Sequence, residues 1–211
     1  MTNHTMAAPE LAAVEIDGMT RSSFILKGAL AAGAAYGLAS VSPFVGQALA
    51  QGGGDVEILN FALTLEYLEA DFYTQGAKKV PGLDKDLKAL IEEIRDNEIE
   101  HVDALVATIK QLKGTPAEKP TFTYGDAFSS KDAFLKLANT LEDTGVSAYN
   151  GAAPSIESVD ILGAAGGIVQ IEARHAALIR LQRGEEPAPL AFDKPSTTDE
   201  VLAAVKPLIK A

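Results

Sequence analysis

The chain has 211 residues, enough for one domain with a full hydrophobic core plus additional segments. It contains no Cys, which excludes disulfides, thiolate zinc sites and iron–sulfur clusters. A formal charge of −11 disfavours nucleic acid and anionic membrane surfaces as partners and favours attraction of cations.

Residues 1–50 differ in character from the remainder of the chain. Thr20-Arg21-Ser22-Ser23-Phe24-Ile25-Leu26-Lys27 leads into a charge-free, Ala/Gly-rich run from Gly28 to Gly54. Within it, Ala48-Leu49-Ala50 has the small-x-small form of a signal-peptidase site. The segment resembles a twin-arginine export signal, with Ser22 in the place of the second Arg. The expectation is an exported, periplasmic or envelope protein whose leader is cleaved. A retained anchor and a cytosolic leader are the alternatives. Pro43, many Gly and weak apolarity argue against a stable membrane span. Residues 51–54, Gln51-Gly52-Gly53-Gly54, form a flexible joint.

Four helices are expected over residues 55–184. The first runs from Asp55, as N-cap, to Gly76, with the stripe Leu59, Ala62, Glu66, Glu69, Tyr73. After the turn Val80-Pro81-Gly82, the second spans Asp84 to Lys113 and closes at Gly114. Its stripe is Leu87, Ile91, Ile94, Glu98, His101, Leu105, Leu112. Thr115 to Phe128 lacks periodicity and reads as the long connection of the bundle. The third helix starts at Ser129-Ser130-Lys131-Asp132, with Asp132 three after the cap, and continues to Asn150. Its stripe is Leu135, Ala138, Glu142, Gly145, Tyr149, and Gly151 to Ser155 breaks it. The fourth spans Glu157 to Arg183, with the stripe Ile161, Ala165, Ile168, Glu172, His175, Ile179. Gly163, Gly166 and Gly167 in it point to a close helix–helix approach or a local bulge. Residues 185–211 form a Pro-rich tail with one short helix, Thr198 to Lys210, on the outside.

Every stripe carries a carboxylate where Leu or Ile belongs. Buried carboxylates are costly unless paired, protonated or bound to metal. Their order repeats: Glu66, Tyr73 seven residues on, then Glu98-x-x-His101; Glu142, Tyr149 seven residues on, then Glu172-x-x-His175. Two of the three His in the chain fall in the matching positions. At about 1.5 Å per residue, both Glu of each pair lie roughly 15–23 Å from their turn, so all six side chains can share one layer. Four carboxylates there would repel, and two divalent cations would neutralise them. Carboxylate and imidazole ligands suit Fe or Mn, and also Zn.

At these residues the sequence resembles the ferritin-like di-metal carboxylate family, which includes ferritins, bacterioferritins, rubrerythrins and manganese catalases. The wording Leu59-Asn60-Phe61-Ala62-Leu63 and Glu66-Tyr67-Leu68-Glu69-Ala70 is similar to its exported, desiccation-associated branch. The resemblance implies an all-α, ferritin-like four-helix bundle with a long connection between the second and third helices. It implies Glu66 and Glu142 as terminal ligands, Glu98 and Glu172 as bridging ones, and His101 and His175 as one per metal. Family members often carry Asp before the ligand Glu to orient the opposite His; here Asn97 and Ile171 stand there.

Glu69 has no carboxylate counterpart, since Gly145 fills the matching place. It reads as an additional ligand, a proton-transfer group, a surface residue or a partner of a tyrosine. Tyr73 and Tyr149 read as core aromatics with satisfied hydroxyls, or as redox-active or ligand-bonding groups. Two functions are compatible with these residues. One is a di-iron or di-manganese oxidoreductase in which Glu98 and Glu172 shift during reaction with O2 or peroxide. The other is a non-catalytic, metal-sequestering stress protein. A homodimer is compatible with either.

Overall fold

The structure, a computed structural model, describes residues 54–210. The segment expected to be an export leader, with its expected cleavage run, lies outside the described residues, as does the expected joint up to Gly53. Four long helices, α1 (Asp55–Lys79), α2 (Lys85–Gln111), α3 (Lys131–Ala152) and α4 (Val159–Gln182), are followed by a short α5 (Thr198–Val205). No strand occurs among the described residues; one antiparallel bridge joins Phe122 to Ile209. The fold is all-α, and no described helix is long and apolar enough to cross a membrane.

α1 packs chiefly on α2, and α3 on α4. The long connection, residues 112–130, returns alongside α1. Asn60 donates to Thr115 O (3.1 Å) and accepts from Ala117 N (2.7 Å). Further along, Tyr124 donates to Leu68 O (3.1 Å) and Asp71 (2.9 Å), and Phe128 stacks on Phe72. The contacts advance in step on both segments, so α3 begins beside the end of α1. This is the expected crossover. Asn60, fully buried in an otherwise apolar segment, is the residue that seats it.

Several helix ends differ from those expected, each for a visible reason. α1 continues past Gly76 to Lys79. Gly76 is not a stop: an added Cβ would lie 2.2 Å from the buried Phe134 ring, which stacks at 4.7 Å on Phe72. Gly76→Ala is therefore expected to cost about 1–3 kcal/mol through overpacking, despite the better helix propensity of Ala. Chemical denaturation would measure it. The N-cap of α1 is Gly54 rather than Asp55. The Asp55 carboxylate instead accepts from Glu157 N (2.7 Å) and Ser158 N (2.9 Å), tying the start of α1 to the start of α4.

Asp84 caps α2, whose buried stripe ends on Ile109; Leu112 is the exposed C-cap. Ser130, not Ser129, caps α3 by accepting from Ala133 N. That helix runs through Gly151 to Ala152 and then tightens into a 3-10 turn, Ala153–Ser155. Gly151 sits in a helix because Ser196 O of the tail lies 1.9 Å from where a Cβ would be. The tail helix is α5, ending at Val205, with a 3-10 turn Lys206–Leu208 beyond. It is not merely external: Val201 and Val205 are buried in the main core.

α4 runs from Val159 unbroken through Gly163, Gly166 and Gly167, without the bulge considered from sequence. An added Cβ at any of the three would meet nothing within 4 Å, so among the described residues no neighbour approaches closely there. Replacing each by Ala is expected to stabilise the protein by about 1 kcal/mol, the helix-propensity difference alone. Thermal unfolding of the triple variant checks this.

Candidate metal centre

All four bundle helices aim carboxylates at one layer. Glu66 and Glu69 come from α1, Glu98 and His101 from α2, Glu142 from α3, and Glu172 and His175 from α4. Glu66, Glu98, Glu142 and Glu172 are 0% exposed, Glu69 and His175 2%, and His101 8%.

Ligand atoms fall into two overlapping groups. Those of Glu66, Glu98, His101 and Glu172 lie within 4.8 Å of one another, and so do those of Glu98, Glu142, Glu172 and His175. Glu98 and Glu172 belong to both; each group has one histidine and one further carboxylate of its own. The six residues that the repeat singled out are thus together in space, with the Glu of each Glu-x-x-His at the centre.

The histidines turn Nδ1 inward. His101 Nδ1 lies 3.0 Å from Glu172 Oε1, 3.2 Å from Glu98 Oε2 and 3.3 Å from Glu66 Oε2. One N–H cannot serve three carboxylates, but a cation at that point can. His175 Nδ1 lies 2.8 Å from Glu98 Oε1 and 3.6 Å from Glu142 Oε2. The His101 contacts to Glu66 and Glu98 are hydrogen bonds, whereas those of His175 are close without being directed. Glu69 Oε2, Glu98 Oε1, Glu142 Oε2, both oxygens of Glu172 and His175 Nδ1 are buried and make no hydrogen bond. Native interiors rarely leave so many buried polar atoms unpaired. Lone pairs converging without donors fit a metal site of oxygen and imidazole ligands.

Around this layer the two repeats serve each other. The Tyr73 hydroxyl on α1 donates to Glu142 on α3, and Tyr149 on α3 donates to Glu66 on α1 (2.5 Å). Both tyrosines therefore orient carboxylates of the opposite repeat. The Asn97 side-chain amide, in the place of the usual Asp, meets His175 Nε2 at 3.1 Å, while Nδ1 faces the centre. Ile171 offers His101 no such partner, so the two halves differ.

Without metal, protons hold the charge balance. Burial pushes Glu66 up to about 8 against the pull of His101. Burial, and then the neighbouring carboxylates, hold Glu69 and Glu172 well above the usual range. Burial also raises Glu142. Burial acts on Glu98 in the same sense, but the hydrogen bond from His101 and the close approach of His175 overcome it and bring Glu98 down to about 2. Burial works to lower both histidines, yet their carboxylate neighbours push His101 up to about 12 and His175 to about 10. Without metal these shifts favour an ionised Glu98 beside charged histidines and protons held on the surrounding carboxyls.

Comparison with known families agrees with this geometry. A family model described as a ferritin-like domain matches residues 54–185. The chain is a member of the ferritin-like family. No curated protein matches it. In this ferritin-like chain the buried Glu/His cluster is compatible with divalent metal binding.

The sequence offers carboxylate bonding as one alternative for Tyr73 and Tyr149, and marks Asn97 as standing where an Asp orients the opposite His. It does not say which carboxylate each tyrosine meets or that Asn97 makes the contact. Spacing along one helix does not say which neighbouring helix a side chain meets. The signals were Asn97 in the place of the usual Asp and the two tyrosines seven residues beyond Glu66 and Glu142.

Proposed function

We propose that the chain is a di-metal carboxylate protein that oxidises metal or removes O2 or peroxide inside the bundle. The observation that carries this reading is the set of buried, donorless oxygens and imidazole nitrogen in two groups sharing Glu98 and Glu172. Iron or manganese held there would supply redox chemistry at neutral pH. Glu66 and Glu142 are the terminal ligands, held in orientation by Tyr149 and Tyr73. His101 and His175 each complete one position, and Asn97 fixes the ring of His175.

Access supports a small substrate. The four core carboxylates are wholly covered, and only His101 of the seven side chains reaches appreciably toward solvent. Molecules of the size of O2 or hydrogen peroxide suit such a centre; an organic substrate does not. The second reading, stoichiometric metal sequestration in a stress-protective protein, uses the same ligands without turnover.

The deciding experiment loads the protein with iron or manganese and supplies hydrogen peroxide with a reductant. Consumption of many peroxide equivalents per chain, lost in Glu172→Ala, supports the enzyme. Consumption that stops at two or fewer equivalents supports sequestration.

Export is part of the proposal, resting on Arg21, the charge-free run and Ala48-Leu49-Ala50. N-terminal sequencing of envelope-fraction protein is expected to begin at Gln51. A Met1 form confined to the cytosol contradicts it.

A further inference from the structure

Glu69 is the buried acid that the six-residue set does not use. It projects from α1 one turn beyond Glu66, is 2% exposed, and its Oε2 makes no hydrogen bond. The tyrosines that could satisfy it are engaged elsewhere. Tyr73 donates to Glu142, Tyr149 to Glu66, and Tyr124 to Leu68 O and Asp71. Neither a surface position nor a tyrosine pairing therefore accounts for it.

What lies opposite is informative. In the repeat, the place of Glu69 on α1 corresponds to Gly145 on α3, and the two meet across the bundle. A Cβ on Gly145 would stand 3.2 Å from Glu69 Oε1 and 3.1 Å from Glu172 Oε2. Glycine in mid-helix costs about 1 kcal/mol relative to Ala, and a buried unpaired carboxylate costs more. Two locally unfavourable choices thus meet at one point, beside a carboxylate common to both ligand groups. Gly145 clears the volume that the Glu69 and Glu172 carboxylates occupy.

We propose that Glu69 is a fifth carboxylate ligand of the centre, admitted by Gly145, and that it makes the two ion positions unequal. The inference rests on the metal-centre reading above. Since the second repeat has only Gly145 at the equivalent place, the extra ligand is supplied from one side. One ion gains an anionic oxygen that the other lacks. Asn97, which supports His175 while Ile171 leaves His101 unsupported, adds to the inequality.

The test is titration of the metal-free full chain with Mn(II) by calorimetry. Wild type is expected to show two binding events of different affinity. Glu69→Gln is expected to weaken one event tenfold or more and leave the other within twofold. Gly145→Ala is expected to act on the same event, by displacing the carboxylates, and the double variant to be little worse than the stronger single one. Far-UV circular dichroism of the metal-free variants separates these losses from misfolding; if Gly145→Ala does not fold, Glu69→Gln decides. In crystals of Mn-loaded wild type, a Glu69 oxygen is expected at ligand distance from one ion, roughly 2.0–2.6 Å. Two ions bound with the same affinities in Glu69→Gln as in wild type overturn this inference and leave the metal centre standing. Failure of wild type to bind Mn(II) overturns both.

Discussion

Replacing Glu172 with Leu is expected to lower the melting temperature of the metal-loaded protein and to raise or preserve that of the metal-free protein. Glu172 belongs to both ligand groups, so its loss affects both ions. With free metal about a thousandfold above Kd, each site contributes about 4 kcal/mol. For a chain of this size 1 kcal/mol corresponds to about 2–4 °C, so loss of both sites costs roughly 15–30 °C. Without metal the balance reverses. Both Glu172 oxygens are buried without hydrogen bonds, and burial keeps the carboxyl protonated well above the usual range. Exchanging a protonated, unbonded carboxyl for an apolar group of similar volume removes a burial cost of about 1–3 kcal/mol. Glu98 behaves differently although it also bridges the two groups. It is the ionised carboxylate between His101 and His175, so Glu98→Leu is expected to destabilise the protein with or without metal. Scanning calorimetry of both variants, with Mn(II) and with chelator, reads the pattern. Equal losses for Glu172→Leu in the two conditions would contradict it.

The second large effect is on pH. Glu66, Glu69, Glu142, Glu172, His101 and His175 all hold protons more tightly in the metal-free fold than in the unfolded chain. For groups raised on folding, the stabilisation is complete below the unfolded pKa and is lost as pH rises through the folded one. Metal-free protein is therefore expected to lose stability from about pH 5 through Glu66 at about 8, His175 at about 10 and His101 at about 12. Glu98 has the opposite sign: its contribution is present above its unfolded pKa and disappears only as pH falls toward about 2. Metal must displace the held protons, so its affinity is expected to rise at least tenfold per pH unit near neutrality. Calorimetric titrations in buffers of different ionisation enthalpy count the protons released. A value of zero at pH 7 would show that the histidines are neutral before metal arrives.

Much of the centre was legible because carboxylates interrupt apolar stripes that the fold must bury. Glu66, Glu98, Glu142 and Glu172 each stand where the period demands a core residue, and the repeat gives their common height. The crossover was legible from the aperiodic stretch between two strong helices. What remained hidden depends on contacts between elements. Gly76 reads as a helix end until Phe134 is seen lying on it, and Gly151 reads as a break until Ser196 of the tail is placed. Asp55 has the composition of an N-cap, but the backbone it satisfies belongs to the start of α4, more than 100 positions away in the chain. Glu69 could not be assigned from α1 alone, since its direction becomes meaningful only against Gly145 on α3. The glycines of α4 show the converse: a pattern associated with close packing faces open space.

The most direct test of the central claim is anomalous X-ray diffraction from crystals of the Mn-loaded protein. The account predicts two Mn peaks roughly 3.5–4 Å apart, each with one histidine Nδ1 as ligand, and Glu98 and Glu172 contacting both. A single ion, or peaks outside the layer formed by Glu66, Glu98, Glu142 and Glu172, would contradict it.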